Sequence, residues 1–169
     1  MKSIVRMVIL SAVFVVGSNG AEPFETVNIG DQVWMAENLN VRVANAPSWC
    51  YYNSEKSCES CGRLYTWAAA LSACPSGWHL PNRQEWEKVS KYGGFSYKTC
   101  GYRAVDWYGV DQGFSYRGNT GAWWSSEENK KAWDGDEAYH WQVSTTGTGK
   151  LGEFPAPKGF GASVRCVKD

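Results

Sequence analysis

The spacing of apolar positions along this chain changes from a period of two to about 3.6 and back again. Residues 26–35 read TVNIGDQVWM, two short β-prone runs around Gly30-Asp31, the kind of pair that a two-residue hairpin turn demands. Residues 36–43 continue with Leu39 and Val41 alternating against Asn38, Asn40 and Arg42, which predicts an edge strand with one wet face. Residues 44–62 are polar and hold Cys50, Cys58 and Cys61, so a loop is expected there. Across residues 63–73 the spacing switches. Leu64, Trp67, Ala68 and Leu71 fall at i, i+3, i+4 and i+7, and Ala68-Ala69-Ala70 favours helix, which predicts the first helix.

The stretch CPSGWHLPNRQEWEKV, residues 74–89, organises the elements on either side of it. Pro75 and Gly77 stop the first helix, because proline lacks the next helical donor and glycine tolerates the turn. Asn82 then stands where an N-cap belongs, Glu85 lies three residues on to complete a capping box, and Leu80-Pro81 is placed to staple onto Trp86. Trp86 and Val89 share one face of this second helix, and Gly93-Gly94 end it near Tyr92. Trp78, Leu80 and Trp86 are expected to form a core wedge rather than a site.

Residues 93–137 interleave Gly, Tyr, Trp, Asp and Ser, with turn signals at Gly93-Gly94, Gly118-Asn119 and Asp134-Gly135, so short strands in long loops are expected. Within them, Ala122-Trp123-Trp124-Ser125 reads as a buried strand. Residues 138–143 alternate Tyr139, Trp141 and Val143 inward against His140 and Gln142 outward, a second strand. Residues 144–161, rich in Gly, Thr and Pro, read as a loop, and residues 162–167 as a closing strand that holds Cys166. Strands, then two helices, then strands and loops define an α+β class, with the helices flanking a small, mainly antiparallel sheet.

Composition narrows the setting. Lys2 and Arg6, an apolar run from Met7 to Val16 and the small residues Ser18 and Gly20 predict a signal peptide over residues 1–20, with a single domain over 21–169. The apolar run is roughly half the ~20 residues that a spanning helix needs, so no membrane insertion is expected once the leader is removed. Removal takes Lys2 and Arg6 from the 17 basic residues and none of the 17 acidic ones, which leaves a net charge of −2. A nearly neutral chain without a basic stripe argues against nucleic acid as a partner. Six cysteines in an exported chain indicate a disulfide framework, and six allow 15 connectivities. A bond from Cys74 to Cys166 would close a loop of about ninety residues and remove on the order of 4 kcal/mol of chain entropy from the unfolded state. Cys50 with Cys58 is a local closure, and Cys61 with Cys100 is the remainder. The alternative for Cys58-Glu59-Ser60-Cys61 is half of a zinc site or a redox pair, but no second closely spaced Cys or His pair would complete a tetrahedral site.

Several long motifs carry a resemblance: VNIGDQVWMAENLNV, GRLYTWAAA, CPSGWHLPNRQEW, WWSSE with AYHW, and SVRCVKD at the end. Together they make the chain, over about residues 26–169, similar to the Fibrobacter succinogenes major paralogous domain family. The resemblance implies a C-type lectin-like fold, in which two helices flank a small sheet and a long irregular loop region carries binding. It also implies a bond from the first helical region to the last strand, Cys74 to Cys166, and an exported or cell-surface protein of a fibre-degrading bacterium. Cys61 stands where the resemblance leads one to expect a non-cysteine residue. No catalytic residues carry over from it.

Lectin-like sugar sites often hold calcium with a Glu-Pro-Asn or Gln-Pro-Asp triplet and a later Trp-Asn-Asp, and neither is present. Leu80-Pro81-Asn82 lacks the carboxylate, and Trp133-Asp134-Gly135-Asp136-Glu137 makes only part of a loop for an ion that wants six to eight oxygens. A solvated acidic turn, no metal and no cofactor are expected. The formylglycine-generating oxidases share a related fold, but every cysteine has a plausible disulfide partner. His79 is expected to be satisfied by backbone groups, and Ser125 or Ser126 with His140 and Asp134 forms a trio without a nucleophile turn. The expectation is therefore a non-catalytic protein. Trp34, Trp67, Trp78, Trp86, Trp123, Trp124 and Trp141 lie on elements with apolar periodicity and are assigned mostly to the core. Tyr97, Tyr102, Trp107, Tyr108, Tyr116 and Trp133 lie in Gly- and Asp-rich loops, where rings beside Asp134 and Asp136 offer stacking faces plus acceptors. Together they predict a monomeric module that binds polysaccharide, or else a surface-protein partner in the cell envelope.

Overall fold

The computed structural model describes residues 24–106 and 108–169; the leader expected over residues 1–20, and Trp107 among the candidate site residues, lie outside the described residues. The chain opens with β1 (Thr26–Ile29) and β2 (Gln32–Met35), paired so that Ile29 faces Gln32 across a two-residue turn. Gly30 takes φ +61 at the first turn position, a backbone state that glycine adopts without a steric penalty. Residues 36–43 are extended but form no strand. Asn38 is buried rather than wet, because its side chain is bonded into the interior. The expected loop over 44–62 contains β3 (Ser48–Trp49), a 3-10 turn at Tyr51–Asn53 and α1 (Glu55–Cys61).

The helix expected over residues 63–73 is mostly something else. Leu64–Tyr65 forms β4, paired with β3, and only Trp67–Ala70 is helical, as α2. The reason is Thr66, whose hydroxyl accepts the Ala69 N–H and starts the helix there. Trp78–His79 forms β5, and α3 (Arg83–Tyr92) follows with the expected capping box between Asn82 and Glu85. The rest is β6 (Tyr102–Val105), β7 (Asp111–Ser115), β8 (Thr120–Glu128), β9 (Glu137–Ser144), β10 (Gly152–Pro157) and β11 (Val167–Lys168). β10 lies in sequence read as a loop. It holds Pro155 and Pro157 and sits at a sheet edge, where a missing N–H is tolerated. Four small sheets result, ordered β1-β2-β11-β5, β10-β9-β8, β3-β4 and β6-β7, and all their strand pairs are antiparallel. Among the described residues the architecture is mixed α and β, with three short α-helices where two were expected.

Two apolar cores lie on opposite faces of shared strands, since successive strand side chains point to opposite sides. In β8, Ala122 and Trp124 join Tyr65, Trp78, Phe160 and Val164, while Trp123 joins Trp34, Trp86, Phe95 and Trp141. β2 does the same with Met35 and Trp34. Gly121 makes this possible in β8, because a Cβ there would stand 2.3 Å from the Trp123 ring. The wedge of Trp78, Leu80 and Trp86 is buried, but it is split between the cores, with Trp86 in the second.

The six cysteines pair as Cys50–Cys58, Cys61–Cys100 and Cys74–Cys166, with no free thiol. Between the cores sits a buried polar hub. The Asn38 Oδ1 accepts Trp123 Nε1–H at 2.9 Å and Arg165 at 3.0 and 3.3 Å, while its Nδ2 donates to the Cys61 carbonyl at 2.9 Å and Ser163 Oγ at 3.3 Å. Arg165 is fully buried, lies 4.0 Å from the Phe95 ring centroid and leaves Nη1 without a partner. Burial lowers it to about 10, against a longer-range pull from Glu37.

Both histidines depart from expectation. His79 is satisfied not by backbone but by carboxylates, Nδ1 lying 2.6 Å from Asp169 and Nε2 2.8 Å from Glu85. Burial alone depresses its pKa, but these two hydrogen bonds outweigh burial and hold it above the ordinary value. His140 does not point to water, because the second face of the β10-β9-β8 sheet is covered by Phe160, 5.1 Å away between ring centroids, and by Trp124. Burial pushes it down to about 4.

Denaturant titration checks the hub: Asn38→Ala is expected to cost about 3–5 kcal/mol by stranding a buried charge, while Arg165→Met, which removes that charge, costs much less. Equal losses would contradict the hub as the reason for Asn38. Between pH 6.5 and 4 the unfolded chain binds a proton that buried His140 refuses, so stability falls as pH drops through that window, by roughly 1.4 kcal/mol per unit. His140→Gln should flatten that limb. His79 has the opposite sign: its contribution is complete below its ordinary pKa and is lost as pH rises through the raised one.

Candidate functional site

The aromatics singled out in the loops do not form one platform. Tyr97 packs into the second core, 5.3 Å from Phe95 and 6.0 Å from Trp123, and its hydroxyl is pushed up by burial. Tyr102 is half-buried on β6 between Phe160 at 4.9 Å and Tyr116 at 5.5 Å, and is pushed up for the same reason. Both serve packing. Tyr116 is exposed with φ +62, a left-handed state that is unusual for a bulky side chain. Tyr108 is 93% exposed, and Trp133 is fully exposed.

Local chemistry sets where these last rings stand. At the tip of the β6-β7 hairpin, the Asp106 Oδ1 accepts the N–H groups of Tyr108 and Val110, each at 2.9 Å, so this carboxylate builds the turn that presents Tyr108. In the β8-β9 loop, Asp134 Oδ1 accepts the Asp136 N–H at 3.1 Å, and both acids are exposed. The acidic turn thus uses one of its oxygens on its own backbone. Residues 157–161 strap the two loops together. Lys158 donates its N–H to the Asp136 carbonyl and Nζ to the Gly135 carbonyl, pairs with Glu128, and accepts Trp67 N–H on its own carbonyl. Two residues on, Phe160 stacks under Tyr102, and Gly161 exchanges both backbone hydrogen bonds with Arg103. The strap therefore bonds to the Trp133 loop at Gly135 and Asp136 and to the base of the β6-β7 hairpin at Arg103.

Beside the Trp133 loop lies a cleft of about 370 Å³ lined by Arg83, Glu127, Glu128, Asn129, Lys130, Lys131 and Tyr139. The Arg83 guanidinium stands over the Tyr139 ring at 4.9 Å and grips Glu153 with two bonds of 2.9 and 2.6 Å. Asn129 accepts from Tyr139 Oη at 3.0 Å and donates to Glu137 at 2.6 Å. The floor is thus fixed, with charged and amide groups around one ring edge, an arrangement that suits a polyhydroxylated ligand. These residues escaped the reading of the sequence; the polar run Glu127-Glu128-Asn129-Lys130-Lys131 after the tryptophan pair was the available signal.

Other chemistry is placed as follows. Cys50, Glu55 and Cys58 approach within metal-ligand distance of one another, but the two sulfurs are bonded together and offer no thiolate. Cys58 and Cys61 belong to different disulfides, so they form no redox pair with each other. The trio of Ser125, His140 and Asp134 is not joined by hydrogen bonds: Ser125 Oγ donates to Glu127, and His140 Nε2 faces Gln142 at 3.3 Å. Among the described residues, no helix is long and apolar enough to cross a membrane.

Against known proteins, no curated protein and no solved structure matches the chain. Residues 27–99 match the family model of the Fibrobacter succinogenes major domain. The matched stretch runs from the β1-β2 hairpin through the capped α3 to Thr99, and it includes Asn38, Arg63 and the Cys74 hinge. By that match, the stretch 27–99 is similar to the Fibrobacter succinogenes major domain.

Proposed function

We propose that this protein is an exported, non-catalytic binding module of C-type lectin-like type that contacts polysaccharide through the rings of its β6-β7 and β8-β9 loops. The observation that carries the reading is the full exposure of Trp133 together with 93% exposure of Tyr108, on loops held by the same strap. A ring left in water forgoes a large burial contribution, and rigid exposed rings suit the flat faces of sugars. The neighbouring cleft adds acceptors and donors at Asn129, Glu127 and Lys130. The family match over residues 27–99 and three disulfides agree with a surface or secreted setting.

Pull-down of the purified protein on insoluble cellulose, xylan and pectin, with and without calcium, tests the reading. Retention on at least one polymer is expected, independent of calcium, and the Trp133→Ala, Tyr108→Ala variant should lose it by tenfold or more, about 1.4 kcal/mol, at an unchanged melting temperature. Absence of retention on every polymer, or full retention in the variant, would turn the reading toward a protein-contacting domain of the envelope.

A further inference from the structure

Away from the Trp133 loop, a cavity of about 520 Å³ is lined by Ser54, Lys56, Ser57, Glu59, Ser60 and Arg117. Its size falls within the range of small-ligand sites. Its guanidinium is held in place before any ligand arrives. Arg117 Nη1 donates to Ser57 Oγ at 2.9 Å and Nη2 to Ser60 Oγ at 3.3 Å, and the group lies 5.5 Å from the Tyr51 ring centroid. Two hydroxyls satisfy part of a five-donor fork, but hydroxyls do not balance its charge. Among the described residues, neither Arg117 nor Lys56 has a carboxylate ion-pair partner, and Glu59 is the one acid on the lining. The lining therefore carries one surplus positive charge in a chain whose formal net charge is zero.

An exposed ring packs on Tyr51, the ring that lies by this charge. Tyr52 is 68% exposed, two residues before Ser54, with its ring 4.6 Å from Tyr51 and 5.8 Å from Phe114. Its backbone sits at φ 54, ψ 25, and Asn53 follows at φ 56, two successive non-glycine residues in the left-handed region. The chain thus adopts a costly conformation where it holds an exposed ring against Tyr51, the ring that lies by the Arg117 guanidinium.

We propose that this cavity is a subsite for an acidic saccharide: a hexuronate carboxylate binds Arg117 and Lys56, its ring hydroxyls meet the serines, and its face lies on Tyr52. A planar fork suits a carboxylate, and the row of hydroxyls together with a ring face suits a sugar better than an acidic peptide. The subsite goes beyond the loop-face reading, because none of its residues belongs to that face and it selects by charge.

Calorimetric titration of the purified protein with soluble polygalacturonate, its fully methyl-esterified form, a neutral xylan and poly-glutamate tests this. Polygalacturonate is expected to bind at least tenfold tighter than the ester and than poly-glutamate, and to weaken with salt. The pair Arg117→Gln and Lys56→Gln should erase that preference and leave xylan binding and the melting temperature unchanged. Arg117→Lys should keep part of it. Lys56→Glu, at a solvent-exposed position, should by itself abolish the weakening with salt. Equal binding of acid and ester, equal binding of poly-glutamate, no binding of polygalacturonate, or an undiminished preference in the variants would each overturn the subsite. Trp133→Ala separates the two readings, since it should weaken xylan and leave the preference for acid intact.

Discussion

A guanidinium fully buried from the surface and without an ion-pair partner among the described residues must be held by neutral dipoles and ring faces, and Arg165 sets that requirement at the centre of this protein. Asn38 answers it with one carbonyl oxygen that also takes the Trp123 indole, while its amide reaches Cys61 and Ser163. Four residues from three other stretches of chain thus meet at the Asn38 side chain. The requirement explains why residues 36–43 leave the sheet: Asn38 must point inward, and Leu39 bonds by its backbone to Val164 and Arg63 rather than to a strand neighbour. Two of the three disulfides lie close to the same meeting point in sequence, Cys61 being an Asn38 partner and Cys166 adjoining Arg165.

Around that hub the chain builds rigidity from aromatic rings rather than from long elements. Among the described residues, the longest helix has ten residues and the longest strand nine, too short to be stable alone. Trp123 and Trp124 stabilise both cores from one strand, and Trp34, Trp86 and Phe95 interlock at 4.9–5.8 Å. With Phe95, Tyr97 and Phe160 supplying the loops' share of the cores, Tyr108 and Trp133 need not contribute. Tyr108 and Trp133 are therefore free to stand in water on a fixed base.

Much of this was legible wherever a local rule acts by itself. The Gly30-Asp31 hairpin, the Asn82-Glu85 capping box and the burial of most of the strand tryptophans follow from neighbours within a few residues. What was not legible depends on partners far away in sequence. His140 alternates like an outward residue, and only Phe160 and Trp124 covering the second face make it buried. β10 was hidden by Pro155 and Pro157, which an edge position permits. Leu64 and Tyr65 fit a helical spacing, but Thr66 caps the helix after them. The loop aromatics read alike in sequence, yet Tyr97 and Tyr102 pin loops whereas Tyr108 and Trp133 do not, a difference set by Phe95, Trp123 and Phe160. The Arg83-Tyr139 cleft joins residues more than fifty apart and had no local signature.

The central claim is a rigid two-core body that presents exposed loop rings to a sugar chain. It is tested most directly by following the indole N–H resonances of the isotope-labelled protein during titration with soluble xylan and cellulose oligomers. The account predicts saturable shifts at Trp133, with the buried indoles of Trp34, Trp86, Trp123 and Trp124 unmoved. Shifts spread across the buried indoles, or none at Trp133 with any oligomer, would contradict it.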